Sequence, residues 1–392
     1  MSPPVLVLGA GMAGVSAAFM LATRGVPVHV VHGAAGATAL WNGLVDGLAG
    51  EVSAEERELL ARLGLVLARP RPRLVTTLGT VREAFGHDSA LLDLEAARPK
   101  LVLVPALPRP QWDARAIAAM LTASANGAFE ARVVSVPRLL FPEELELADG
   151  AIARRLDDDA RARIFSTELE GALERWRSTA TALLMPPWLG VSRSLRPLLT
   201  ESLALPVGEA ATTLAGAAGL RFAHRRDALF RELNVTSTRA RVTSLDASAE
   251  GVVLTLAGGT TIEGRGVVVA SGGFVAGGIE VPRAFAEREI APSHRTRPSL
   301  AFRAPLLAVG VDGRELFPEG SRYGFSTDTL FSSLRGAGVL EKLGVLVDEN
   351  LAPQARTESP VRVAGDACAD GPRTIGAALR EGMRAAKAFL PS

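Results

Sequence analysis

The chain starts with an apolar run, Val5 to Leu8, that stops at Gly9 and meets glycine again at Gly11 and Gly14. A strand covered on both faces, a GxGxxG turn and a helix form the physical cradle of a dinucleotide pyrophosphate. The first glycine permits the tight turn, the second lets backbone approach phosphate, and the third lets helix press on strand. The surroundings agree with that reading. Val15 to Thr23 is rich in Ala, Leu and Met and ends at Gly25, and Val28 to Val31 supplies the second strand of a βαβ unit.

One position departs from the fingerprint. About 20 residues on from such a turn an acidic side chain usually accepts from the adenosine ribose, and this chain has His32 there. Two readings stay open: a neutral imidazole nitrogen accepts one such bond, or His32 is a surface residue and backbone alone holds the ribose.

Composition narrows the function classes. With 392 residues the chain is long enough for two cores, and 48% hydrophobic against 22% charged residues describes an ordinary globular protein. A formal net charge of +1 offers no electrostatic case for nucleic acid or an anionic membrane as main partner. Cys368 is the sole cysteine, which excludes an internal disulfide, a CxxC redox pair and an iron–sulfur cluster held by this chain alone. No apolar run is long enough to span a bilayer and the N-terminus lacks a basic leader, so a cytoplasmic protein is expected.

After His32 the regular strand–helix alternation of a nicotinamide-binding half does not continue. GAAGATALWNGLVDG comes next, a small-residue loop with Gly33, Thr38 and Gly43, which either tracks a second stretch of ligand or is a surface loop. Helix is expected at 54–65, 166–181 and 216–233, and extended chain at 74–81. Three strand-like runs, 241–245, 251–256 and 261–269, end in VVVASGGF; they are either a meander that can bring Ser271 and Gly272 back against the same nucleotide or an unrelated hairpin domain. Near the C-terminus Val361 to Ala364 reads as a strand followed by Gly365 and Asp366, and a helix starts near Thr374. Asp366 at a strand end can accept from a polyol, and the helix N-terminus can face an anionic ring.

Together, GAGMAG, VVVASGG and the late VAGDA followed by a helix resemble the two-dinucleotide-binding-domain flavoproteins. More narrowly, GATALWNGLVDG, TTLGTVREAF at 76–85 and ASGGFVAGGI at 270–279 are similar to the family of B-type subunits of anaerobic glycerol-3-phosphate dehydrogenases. The resemblance implies an α/β fold: a Rossmann-like FAD-binding domain with a three-strand meander, plus an inserted α+β substrate or cap domain. The FAD-binding segments would be 1–52, 206–285 and 355–392, and the cap segments 53–205 and 286–354.

By the same resemblance, Gly9, Gly11 and Gly14 would contact the pyrophosphate and His32 would sit at the adenosine ribose, while Thr38 and Gly43 would line the flavin side, with Met12, Ala13 and Gly33 as further cofactor-binding positions. Val242, Ser271 and Gly272 would flank adenine, Gly365 and Asp366 would meet the ribityl chain, and Ile375 and Gly376 would face the flavin pyrimidine edge. FAD is preferred to FMN, because a pyrophosphate cradle has nothing to hold in a monophosphate. A second GxGxxG is lacking, which argues against direct NAD(P)H oxidation.

The resemblance further implies oxidation of a small hydroxylated metabolite such as glycerol 3-phosphate, with electrons passed to quinone or to a protein partner, iron–sulfur proteins included, and peripheral attachment to the inner membrane through that partner. The other class of reading is a noncatalytic assembly subunit that keeps the nucleotide fold as scaffold. No acid–base pair stands out. His294 and Arg297, with Arg295 and Arg303, form either an anion site with a histidine base or a solvated basic loop, and the loop is the simpler account. Arg82 is a candidate for a substrate phosphate, and His87 and His224 are read as lying in polar contexts.

Overall fold

The computed structural model describes residues 2–33, 36–212, 216–273, 299–301, 309–311, 314–317, 324–326, 344–354, 360–369 and 371–391. His294, Arg295, Arg297 and Arg303 lie outside the described residues. The chain divides into two compact units, residues 1–38 with 229–392, and residues 39–228.

In the first unit the apolar runs become β1 (Val5–Leu8), β2 (Val28–His32), β3 (Thr236–Arg239), β7 (Gly266–Val269) and β8 (Val361–Val363). Between β3 and β7 lie β4 (Val242–Ser248), β5 (Gly251–Leu256) and β6 (Thr261–Gly264). The five-stranded sheet has the spatial order β3-β2-β1-β7-β8 and every pair in it is parallel. Ranked along the chain this is 3-2-1-4-5, the order of a Rossmann-like half, with its switch point between β1 and β7.

Two helices pack beside this sheet's switch point, α1 (Met12–Ala22) and α2 (Ile375–Lys387). α1 buries all but the last of its residues. Each large apolar side chain so enclosed, Phe19 and Leu21 among them, contributes about 1.5–3 kcal/mol. The helix ends where Gly25 takes a left-handed turn, its N–H donating to the Ala22 carbonyl at 3.0 Å.

β4, β5 and β6 form an antiparallel sheet, with Leu245 opposite Leu254 and Leu254 opposite Ile262. The expected single strand over 261–269 is two strands. At Arg265, whose N–H donates to the Pro4 carbonyl at 3.0 Å, the chain leaves the antiparallel sheet and enters the parallel one beside β1. Two short sheets, Ser299–Ala301 with Gly324–Ser326, and Arg314–Phe317 with Val309–Val311 and Gly344–Val345, also belong to this unit.

The second unit combines a larger parallel sheet with two small antiparallel ones. Its main sheet has the order Val207–Glu209, Ala182–Met185, Leu101–Ala106, Glu130–Ser135, and all its pairs are parallel. Alternation sends Leu103, Leu183 and Met185 into one core with Phe165, Leu169 and Trp188. Val102, Val104 and Leu184 go to the other face, with Ile117 and Leu121. Both faces are covered, so the strands read as continuous apolar runs.

Residues 39–52 and 206–228 belong to this unit because Leu44 and Val45 pair with 86–87, and Val207 to Glu209 extends the parallel sheet. The expected 166–181 helix instead runs Asp159–Leu173, set by Asp158, whose carboxylate caps the Arg161 amide at 2.9 Å. The expected 74–81 strand is a hairpin, Arg73–Val75 with Val81–Glu83, turning at Gly79.

Candidate functional site

At the carboxyl end of the first unit's sheet, three separated pieces of chain meet. Gly9 has φ +110°, and a Cβ there would stand 2.1 Å from the Ala270 carbonyl oxygen at the end of β7. A Cβ on Gly14 would stand 1.9 Å from the Gly9 oxygen. These two glycines are demanded by the packing of strand, turn and helix. Gly11 is different: a Cβ there would meet only Thr38 Oγ1, at 3.1 Å. That approach is tight and asks the Thr38 hydroxyl to give by a few tenths of an ångström, but among the described residues it is a side-chain atom, whereas Gly9 and Gly14 face backbone.

α1 begins with Gly11 as its cap and has no capping side chain and no acidic residue in its first turn. The first α-helical bond runs from Val15 N–H to the Gly11 carbonyl, so the amides of Met12, Ala13 and Gly14 precede it. Met12 donates to Thr38 Oγ1 at 3.3 Å. The positive end of the helix dipole is therefore uncompensated by any acid of that turn.

The third piece comes from the C-terminus. Ala364 N–H donates to the Val269 carbonyl at 2.9 Å, and a Cβ on Gly365 would lie 2.8 Å from Ala13 Cβ. A Cβ on Gly382 of α2 would lie 2.1 Å from the Ala13 oxygen, so α2 crosses α1 in close contact. Thr374 caps α2 by accepting from Ala377 N–H at 3.2 Å, leaving Ile375 and Gly376 in the open first turn. Burial pushes the Asp366 carboxyl up from its ordinary value, while Arg373 pulls it down.

At the far side, His32 Nδ1 lies 2.8 Å from the Gly33 carbonyl and Nε2 3.2 Å from Ser237 Oγ. A carbonyl only accepts, so Nδ1 carries a proton, and in the neutral ring Nε2 is left to accept from Ser237. The end of β2 therefore carries a His32–Ser237 pair. Ala240 N–H donates to the His32 carbonyl at 3.0 Å, which brings the start of β4, Val242 included, close behind it.

Thus Gly9, Gly11, Met12, Ala13, Gly14, Thr38, Ser271, Gly272, Gly365, Asp366, Ile375 and Gly376 belong to the meeting of the three pieces, and His32, Gly33 and Val242 to the β2–β3 end of the same sheet. Gly43 belongs to the other unit. There a Cβ would stand 2.9 Å from Leu91 Cδ1, and its carbonyl accepts from Asp88 N–H at 2.7 Å.

Three residues carry no clear signal in the sequence. Ser237 supports His32. Arg373 donates to the Asp366 carbonyl. Glu381 accepts from Gly365 N–H at 2.8 Å and so fixes the turn at 365–367. Burial raises the Glu381 carboxyl above its usual range, against the Gly365 bond that lowers it. Glu381 shares one face of α2 with Thr374 and Ala378, at helical spacing, and this is the one pattern that marks it. Arg82 is exposed and pairs with Asp46 at 3.5 Å, and His224 is exposed. His87 is a correction: it lies buried on a strand at 86–88, with Nδ1 on the Asp88 carbonyl at 2.8 Å. Among the described residues, no group of His, Cys, Asp or Glu could hold a metal ion, and no helix is long and apolar enough to cross a membrane.

No protein-family model matches the chain, and no curated protein matches it. Among solved structures it is similar to a GidA-related protein from Thermus thermophilus, at 12% identity and a TM-score of 0.34 over 100% of this chain and 99% of that one. It is also similar to 3-ketosteroid delta1-dehydrogenase from Sterolibacterium denitrificans, at 12% identity and a TM-score of 0.39 over 99% of each chain. A third is 3-ketosteroid-delta4-(5alpha)-dehydrogenase from Rhodococcus jostii, at 13% identity and a TM-score of 0.36 over 100% of this chain and 97% of that one.

Proposed function

We propose that the first unit binds FAD and that the chain is a flavin-dependent oxidoreductase or the flavin subunit of one. The observation that carries this reading is the contrast within the fingerprint: a Cβ on Gly9 or Gly14 would run into backbone, whereas on Gly11 it would meet, among the described residues, only the Thr38 hydroxyl, and a ligand lying against the turn accounts for glycine there. The residues fit such a group. Met12, Ala13 and Gly14 offer early helix amides to a pyrophosphate, the His32–Ser237 pair stands at the ribose position, and Asp366 and the open first turn of α2 stand where the ribityl chain and ring would lie.

Bound FAD would supply the acceptor for a hydride or two electrons. The chain's own part is to bind and tune. The N-terminus of α2 favours negative charge at the ring edge facing it. Glu381 holds the Gly365 turn, and Arg373, on the carbonyl of Asp366, anchors the segment that leads into α2.

The finer reading rests on the motif resemblance. The substrate is a small hydroxylated metabolite such as glycerol 3-phosphate, the FAD domain carries an inserted substrate or cap domain, β4 to β6 are the meander of the FAD domain, and electrons leave to a protein partner or quinone. The test is the absorption spectrum of the purified protein, the mass of its released chromophore, and anaerobic addition of glycerol 3-phosphate. Yellow protein that releases FAD and is bleached by the substrate supports the whole reading. FAD without bleaching retains the cofactor and removes the substrate. Colourless protein that takes up no FAD removes both.

A further inference from the structure

The 39–228 unit contains a cavity of about 670 Å³ for which the flavin reading has no use. Its lining comes from Leu48, Gly50, Val52 and Arg57, ahead of and into the helix Ala54–Arg62, from residues 67–71 at and after the end of the strand Leu65–Leu67, and from Phe85. Leu48 is buried, Leu67 and Phe85 are half-buried, and Arg57, Arg69 and Arg71 stand exposed at the opening. Arg57 Nε donates to the Val52 carbonyl at 3.2 Å, and the Arg71 guanidinium sits 4.4 Å from the centre of the Phe85 ring.

The charge around this cavity is one-sided. No acidic side chain lines it, and among the described residues none of its three arginines pairs with a carboxylate. Elsewhere on the same unit exposed arginines do pair, Arg62 with Glu58, Arg132 with Glu130 and Arg177 with Glu174. Like charges around one opening repel, and an anion placed among them removes that cost. The guanidinium fork suits carboxylate and phosphate oxygens, and an apolar floor favours a hydrocarbon body over water. The volume lies within the range of small-molecule sites, about 300–1,000 Å³.

We propose that this cavity binds a single-chain anionic amphiphile. Its hydrocarbon tail lies against Leu48, Leu67 and Phe85, and its carboxylate or phosphate monoester head is held by Arg57, Arg69 and Arg71. The proposal is independent of the flavin reading and survives its failure.

Isothermal titration of the full chain with dodecyl phosphate, dodecanoate, dodecanol and inorganic phosphate, each kept below its micellar concentration, tests it. Vesicles of phosphatidylglycerol form a fifth arm. One molecule of either anionic amphiphile is expected to bind per chain, at least about tenfold tighter than dodecanol or phosphate, as charge-assisted hydrogen bonds added to tail burial predict. Arg69→Gln, at an exposed position, should weaken dodecyl phosphate about tenfold. Leu67→Gln should weaken it without altering the response to phosphate. Equal affinity for dodecanol and dodecanoate, indifference to Arg69→Gln, or binding to vesicles alone would each overturn the proposal, the last in favour of a basic surface lying on a bilayer.

Discussion

The two units each build a parallel sheet covered by helices, yet the carboxyl ends of those sheets are finished in opposite ways. In the first unit that end is cleared. Small residues line it, α1 opens on it without a capping side chain, and a Cβ on Gly11 would meet only the Thr38 hydroxyl among the described residues. In the second unit the same end is filled. Trp112 donates to the Pro105 carbonyl at 2.7 Å, Trp188 to Asp149 at 2.8 Å, and Glu209, the last residue of its strand, accepts from Leu189 and from Arg221. Arg221 is 1% exposed and also bonds Asp88 at 2.8 Å and the Gly190 carbonyl at 2.8 Å. Burial works against its charge, but the Asp88 and Glu209 carboxylates outweigh burial and hold it protonated. Architecture alone therefore does not make a ligand site. The side chains left out at the strand ends do.

The comparison breaks most visibly at Arg221. Arg221→Met leaves two buried carboxylates uncompensated and should cost about 3–5 kcal/mol by chemical denaturation. Adding Glu209→Gln and Asp88→Asn should return part of that loss. If Arg221→Met leaves stability unchanged, the filled end of the second sheet is not held by charge.

A smaller effect sharpens the other side. Gly14→Ala drives a Cβ into the Gly9 carbonyl and should destabilise by about 1–3 kcal/mol whether or not flavin is present. Gly11→Ala asks only the Thr38 hydroxyl to give by a few tenths of an ångström, so it should destabilise the flavin-free protein by less than Gly14→Ala does, while lowering flavin retention. Equal stability losses in the two variants would erase the distinction between packing glycine and ligand glycine.

The smallest effect concerns His87 in the second unit. Burial lowers its folded pKa, and the charge of nearby Arg196 adds to this, while its bond to the Asp88 carbonyl and the Asp93 carboxylate, 4.0 Å away, oppose it. The unfolded chain then binds the proton more readily. Its contribution is complete above about pH 6.5, the unfolded value, and is lost as pH falls below that, with a slope of at most about 1.4 kcal/mol per pH unit. His87→Asn keeps a donor for the Asp88 carbonyl and should remove that slope from a denaturation series between pH 7 and pH 5.

Much of the first unit is legible in the chain because its signals are local. The run into Gly9, the small-residue helix after it, and Thr374 ahead of an amphipathic helix each announce themselves within about a dozen residues. The parallel sheet of the second unit is not legible in this way. Its central strands, LVLVPA at 101–106 and ALLM at 182–185, are far apart in sequence, and a short apolar run does not say what it will pair with. The same holds for single side chains. Asp88 lies far in the sequence from Glu209 and Arg221, no motif links the three, and only the fold brings them together. His32 is visible as a departure, but its partner Ser237 lies 205 residues away on the neighbouring strand.

The claim on which the functional account turns is that the cleared end of the first sheet holds an extended dinucleotide rather than a mononucleotide. Fluorescence titration of the flavin-free protein with FAD and with FMN tests this directly. The account predicts FAD at least about tenfold tighter than FMN, with the preference abolished in Gly11→Val. Equal affinities, or a preference that survives Gly11→Val, would contradict it.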